Sequence, residues 1–292
     1  MSTDTFPAAT PTASMADVRV DFDRPPIRIG QHEGHRDYLA RALRNHDFVV
    51  RYPIVVLRAK YRETLLGLGW EILNPTLLVL IWWLIRGVAF PRAGGPDYLA
   101  FLIVGIFSYQ YMQRFITGGA AAVSGSSGLM QKFNFPPIVA PMQHGVSAFV
   151  SNFVGVSVML AFVILSGVTP TWSWLLLGPM VLAQTSFAFG GSLALARLTI
   201  GNQDVKNVVP FVFRLTFYGS GIIFPIEERI SELSFRWVFD LNPFYAITAT
   251  TRYVVTGSDL HITTMTSAII WCLAMPFIGY FLFRTGDHRY AE

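Results

Sequence analysis

Residues 57–90 read "LRAKYRETLLGLGWEILNPTLLVLIWWLIRGVAF". Arg58, Lys60, Arg62 and Glu63 crowd its first part, and from Ile72 to Ile85 no side chain carries a charge. Gly67, Gly69, Trp70 and Pro75 stand at the join. A basic stretch that abuts a long uncharged run is the pattern of a chain rising into a bilayer. The hydrocarbon core takes about 20 mostly apolar residues per helix, and Lys and Arg gather on the cytoplasmic side of the spans. The basic part mixes its charges with Leu57, Tyr61, Leu65 and Leu66, so it is expected to lie along the inner surface. Trp70 suits the headgroup level. Pro75 falls in the opening turns of the span, where proline is tolerated.

The whole chain carries the same signature. Of its 292 residues 52% are hydrophobic and only 14% charged, and the mean hydropathy is +0.45. Soluble domains carry about a quarter charged residues. Apolar runs at 71–90, 98–117, 138–166, 172–196, 207–226 and 261–283 predict about six transmembrane helices, an all-α polytopic membrane protein. The opening residues lack the basic start and apolar core of a cleaved signal, so the first span is expected to be an uncleaved anchor.

Charge sets the expected orientation. Arg36, Arg41, Arg44, Arg51, Arg58, Lys60 and Arg62 place the N-terminus inside. Lys132, the Arg197–Lys206 pair and the Arg284–Arg289 pair then fall on alternate loops, as six spans with both termini in the cytoplasm require. Arg92, Arg229, Arg236 and Arg252 fall outside, mostly offset by Glu227, Glu228, Glu232 and Asp240. The net charge of +4 needs no nucleic acid to explain it.

Three regions are expected. Residues 1–34, rich in Ser, Thr, Ala, Pro and Asp, read as a disordered cytoplasmic tail. Residues 35–70 read as cytoplasmic interfacial and gate helices. In "RDYLARALRNHDF", Tyr38, Leu39, Ala42 and Leu43 share one face and Asp37, Arg41 and Arg44 the other. That pattern suits a helix lying in the interface, or one packed on protein. Residues 71–290 form the transmembrane domain. Its segment near 227–260 is too charged to span and too apolar to float, and Asn242-Pro243 splits it in two. Re-entrant or interfacial pieces are expected there, buried in protein or lining a cavity. Small residues four apart (Gly118, Ala122, Ser126 and Ser186, Gly190, Ala194) fit packing within the chain or a dimer seam.

Several chemistries lack their residues. Between Ile72 and Gln203 the one acidic residue is Asp97 and the one histidine His144, which speaks against a proton-coupled carrier. No P-loop glycine–lysine sequence is present, no Cys/His set has metal-ligand spacing, and the glycine-flanked serines lack the nucleophile-elbow spacing. The single Cys272 lies in the last span and suits apolar packing. No catalytic or metal residue is assigned.

Four motifs in order now carry a family resemblance. "KYRETLLGLGWEILNP" (60–75), "LMQKFNFPPIVAP" (129–141), "NQDVKNVVPFV" (202–212) and "LNPF" (241–244) with Arg252 together resemble the membrane subunits of type-2 ABC exporters that move lipid-linked polysaccharides. The resemblance covers about residues 36 to 290. "SGIIFP" (220–225) departs from a Ser-Pro common among relatives, so the outer end of span five is expected to bend differently. The resemblance implies a homodimer with two copies of a separate ATPase that binds ATP and Mg. It implies a cargo carried on polyprenyl pyrophosphate, of the O-antigen, teichoic acid or galactan type, moved outward across a bacterial plasma membrane. The excess of Arg over Lys suggests a GC-rich genome and tilts the expectation to galactan. A type-2 exporter of drugs or small lipids, or a membrane-embedded glycosyl- or acyltransferase, are the competing readings.

Site residues follow from these readings. Tyr61, Arg62 and Trp70 are expected at a gate, where arginine's forked donors suit a pyrophosphate. Gly128, Gln131, Lys132 and Phe133 are expected on or beside a helix that docks into the ATPase. For the channel wall, Asn207, Arg214 and Tyr218 share the polar face of span five, and an intramembrane arginine should face protein or water. In span two, Phe107, Tyr111 and Phe115 form one aromatic stripe, and Phe101, Gly105 and Tyr109 lie roughly opposite, since two residues turn a helix by about 200°. The first stripe is expected to join Tyr218, offering flat apolar rings along which a sugar polymer slides.

Overall fold

A computed structural model describes residues 34–44, 49–51, 53, 69–89, 96–125, 136–200, 202–226 and 236–286. Helices and turns account for these residues, with no strand among them. The order is α1 (His35–Arg44), α2 (Gly69–Ala89), α3 (Pro96–Gly125), α4 (Val139–Leu165), a 3₁₀ turn (Trp172–Leu176) running into α5 (Leu177–Thr199), α6 (Gln203–Gly219), α7 (Arg236–Asp240), α8 (Pro243–Thr256) and α9 (Ile262–Arg284). Stretches within α3, α4, α5 and α9 are long and apolar enough to cross a membrane, and α2 holds a shorter apolar run, Ile72–Ile85. The protein is an all-α polytopic membrane protein. α2 begins at Gly69, so Pro75 sits within the helix, two residues deeper than a start at residue 71 would put it. Thr76 Oγ1 there donates back to the Ile72 carbonyl at 2.7 Å.

α3 is the central helix. Thirty residues give it a length of about 45 Å, and Leu102 to Tyr109 are buried without a break. A helix apolar all round belongs in the middle of a bundle, and α2, α4, α5 and α8 all pack on α3. α4 is peripheral and buries only a narrow strip that includes Gly145, Ser151, Met159 and Val163.

The most extensive pairing is α5 with α9. Lipid tails are as apolar as leucine, so close van der Waals approach, rather than escape from water, drives such pairs. α9 buries Thr264, Ala268, Cys272, Gly279 and Phe283, one stripe at helical spacing. At its centre a Cβ on Gly190 would overlap the Met275 carbonyl, and one on Gly279 would overlap the Gly190 backbone. The Gly190 repeat thus serves packing within the chain. Ser186 adds a 3.0 Å hydrogen bond to the Cys272 carbonyl.

α1 docks on protein. Tyr38 and Ala42 join a second core with Val123, Val139, Leu193 and Phe283, at one end of the bundle. The Arg284 guanidinium lies 4.3 Å over the Tyr38 ring. His35, Arg36, Asp37 and Arg44 stay exposed. Of the two expectations for this amphipathic helix, the structure shows its apolar face against the bundle.

Candidate functional site: an open helical face and a buried arginine clamp

α6 is short, 17 residues, and carries Asp204, Lys206 and Arg214. It buries Phe213 and Phe217 and exposes Asn207, Val208, Phe211, Val212, Arg214, Leu215 and Tyr218. Tyr109 and Phe244 hold the buried side to the bundle, the Phe244 ring standing edge-on to Phe213 at 6.0 Å. Tyr109 Oη donates to the Phe213 carbonyl, and the Tyr109 ring meets those of Phe217 and Phe244 edge-on or tilted at 5.2 and 5.3 Å. The exposed side continues onto α2 through a T-shaped contact of Trp82 with Tyr218 at 6.0 Å. There Leu77, Leu80, Ile81, Trp83, Leu84 and Ile85 are exposed too. α2 and α6 thus present a broad, mostly apolar face that also carries Asn74, Asp204, Lys206, Asn207, Arg214 and Tyr218. Arg214 lies eleven residues into α6, about 16 Å along its axis from Gln203. An arginine within the hydrocarbon of a bilayer belongs against protein or water, not lipid.

The aromatic stripe expected to join Tyr218 does not reach it. Phe107, Tyr111 and Phe115 are buried inside the bundle at 6%, 4% and 1% exposure. Tyr111 Oη bonds Thr185 Oγ1 of α5 at 2.6 Å, and Phe115 packs edge-on to His144 of α4 at 6.0 Å. Tyr109, from the opposite stripe, is the residue that meets α6. α3 is therefore turned by about half a revolution from the expected orientation. The cause is its central position: both stripes are core, and neither lines an open face of the chain. Phe107 and Tyr111 instead border a small cleft between α3, α4 and α5, with Arg114, Asn152 and Gln184.

Trp70 is half exposed at the start of α2. Tyr61, Arg62, Gly128, Gln131, Lys132 and Phe133 lie outside the described residues.

Sequence reasoning gave Arg252 no role beyond its place in a motif, and it proves to be a structural hub. After α6 stops at Gly219, the chain turns through Gly221 at φ 58° and comes back through the short α7. Asn242 then caps α8, its Oδ1 accepting from the Phe244 N–H at 3.0 Å, with Pro243 at the first helical position where no N–H is needed. α8 buries Tyr245 to Ala249, Thr251, Arg252, Val254 and Val255, as a non-spanning helix among spans must. The 3₁₀ turn holds its end: Ser173 Oγ and Trp174 Nε1 donate to the Val254 and Val255 carbonyls, each at 2.8 Å. Inside, Gln184 Nε2 donates to Ser108 and Thr251 hydroxyls, both at 2.8 Å. Asp240 ties α7 to the start of α9, accepting from Thr264 Oγ1 at 2.6 Å and Thr263 Oγ1 at 3.0 Å.

Arg252 itself is 3% exposed. Its Nε donates to the Phe101 carbonyl at 3.2 Å, Nη1 to Gly221 at 3.0 Å and Nη2 to Ile222 at 2.9 Å. The guanidinium carbon sits 3.4 Å over the Phe101 ring. A Cβ at Gly105 would overlap Nη2, so this glycine makes the room. Residues 220–225 form this turn, pinned further by Tyr98 Oη on the Ile223 carbonyl at 2.8 Å and Asn242 Nδ2 on Ser220 Oγ at 3.0 Å.

No family model matches the chain. Among curated proteins it is similar to two O-antigen export system permease proteins of Klebsiella pneumoniae, 24% and 25% identical over 237 residues, which is 81% of this chain and 90% of each relative. It is also 28% identical to an O-antigen export system permease protein of Myxococcus xanthus over 65% of this chain and 73% of the relative. The resemblance that four short motifs carried in the sequence thus extends over most of the chain.

Proposed function

From a similarity that spans four fifths of this chain and nine tenths of an O-antigen export permease, we propose that this chain is the membrane subunit of an ABC exporter of polysaccharide. That similarity is the observation that carries the reading. In it, α2 and α6 complete six spans with the four longer helices. The α1 end of the bundle faces the cytoplasm with both termini, and the α7–α8 end faces outward across a bacterial plasma membrane. A separate ATPase supplies the energy, two copies per pair of these chains. The cargo is a glycan of O-antigen or galactan type on polyprenyl pyrophosphate.

The open α2–α6 face supports the pairing. Two copies meeting along it would enclose Asn207, Arg214 and Tyr218 between them, which gives an intramembrane arginine a watery route in place of lipid. Phe107, Tyr111 and Phe115 have no part in this lumen. Tyr61, Arg62 and Trp70 remain proposed for the gate. Gly128, Gln131, Lys132 and Phe133 remain proposed for the contact with the ATPase, through which nucleotide closure pushes on the membrane helices.

The test is reconstitution of the chain with its ATPase in inverted vesicles loaded externally with labelled polyprenyl-pyrophosphate glycan. ATP should drive label into the lumen of the vesicle, where glycan-degrading enzyme added outside cannot reach it. Uptake of a labelled lipid or drug with no uptake of glycan would overturn the cargo assignment. ATP-independent uptake would overturn the ABC mechanism.

A further inference from the structure

The clamp at Arg252 joins three parts of the chain that are far apart in sequence. It sits on the non-spanning helix α8, receives two successive carbonyls from the turn that ends α6, and takes a third from α3. A guanidinium presents its donors in a rigid plane, a geometry that lysine cannot copy. Three further contacts converge on the same turn: Tyr98 on the Ile223 carbonyl, Asn242 on Ser220, and Tyr245 beside Gly221. The rest of α6 is held much more lightly. From Asp204 to Val212 no residue is buried, and Phe213 and Phe217 are the two anchoring rings. Within one copy, and among the described residues, α6 is held closely at its Gly219 end and lightly at its Asp204 end, where Val205 and Val209 are half-buried.

We infer that Arg252 is the positioning residue that makes α8 and the outer end of α6 one rigid body, a fixed pivot from which the cytoplasmic part of α6 swings. This deepens the proposed function, since it rests on α6 lining the route. A closing push from an ATPase arrives at the cytoplasmic end, where within one copy the described residues Asp204 to Val212 are at most half-buried. The clamped outer end holds its geometry while the Arg214–Tyr218 face changes its tilt.

Paired spin labels test this, with Cys272 first replaced by Ala and labelled copies diluted with unlabelled ones. One pair, Tyr253→Cys with Phe224→Cys, lies across the clamp on exposed positions; the other, Tyr253→Cys with Val208→Cys, reports the lightly held end. The first pair should give one narrow distance, unchanged when a non-hydrolysable ATP analogue binds the full complex, while the second pair shifts. Arg252→Lys, and separately Gly105→Ala, which leaves Arg252 in the sequence but pushes a methyl into its guanidinium, should each broaden the first distance at least twofold. The double variant should be no broader than Arg252→Lys, because lysine lacks the Nη2 that the new methyl displaces. A first distance that shifts with nucleotide, or that stays narrow in both Arg252→Lys and Gly105→Ala, overturns the inference. The variant arm needs neither ATPase nor cargo. A failed glycan uptake with the expected broadening would therefore sink the cargo assignment and leave the clamp standing.

Discussion

Replacing Arg214 by Leu asks what the open face of α6 touches. Arg214 is exposed on α6, between Phe211 at 64% and Leu215 at 72% exposure. At the centre of a bilayer an arginine costs about 2.5–3.5 kcal/mol on the insertion scale, and a leucine gains about 0.3–0.6 kcal/mol. If this face meets lipid, Arg214→Leu should stabilise each copy by roughly 3–4 kcal/mol. If it lines a wet route between two copies, the guanidinium is already hydrated and most of that gain vanishes. The variant should then lose export, because the route has lost the Arg214 cation, while its stability stays within about 1 kcal/mol of the parent. Arg214→Lys, which keeps the charge, should retain part of the export. The assay pairs thermal unfolding in lipid nanodiscs with glycan display on whole cells at matched expression. A large rise in unfolding temperature together with undiminished export would refute the assignment of this face to the lumen.

Other outcomes follow from the packing. Gly190→Val should force α5 and α9 apart by roughly 1 Å or more, since carbon atoms settle at about 3.5–4.0 Å, and should cost about 3 kcal/mol or more. Loss of the monodisperse peak at lower temperature in fluorescence-detected chromatography would show it, and an unchanged melt would contradict the α5–α9 contact. With Cys272 removed, Tyr218→Cys should react with a water-borne thiol reagent and Tyr111→Cys should not; the reverse pattern would mean that α3 is turned the other way. Tyr38→Ala should cost about 3 kcal/mol at the docking site of α1, read as faster proteolysis of the segment before α2, with equal rates counting against that docking. Tyr98→Phe should lose about 1 kcal/mol by leaving the buried Ile223 carbonyl short of a donor, measurable as a lower melting temperature.

The amino-acid order alone determined the membrane solvent and the helical class, because a backbone in hydrocarbon must satisfy its own hydrogen bonds and long uncharged runs leave it no other choice. It also determined the break at Asn242-Pro243, since a capping side chain followed by a residue without an N–H starts a helix by local chemistry. The aromatic stripes of α3 were legible as stripes, but their direction was not. Phe107–Tyr111–Phe115 and Phe101–Gly105–Tyr109 are chemically alike, so periodicity cannot choose between them when neighbours cover every side. Only the tertiary structure decided that Tyr109 meets α6 and that Tyr111 meets Thr185. The same holds for Arg252. Its partners are carbonyls, which every residue possesses, so nothing in the sequence marks Phe101, Gly221 and Ile222 as its acceptors. Their convergence depends on the fold bringing α8, α3 and the turn after α6 to one point, and a hydrogen bond to backbone leaves no trace in residue type.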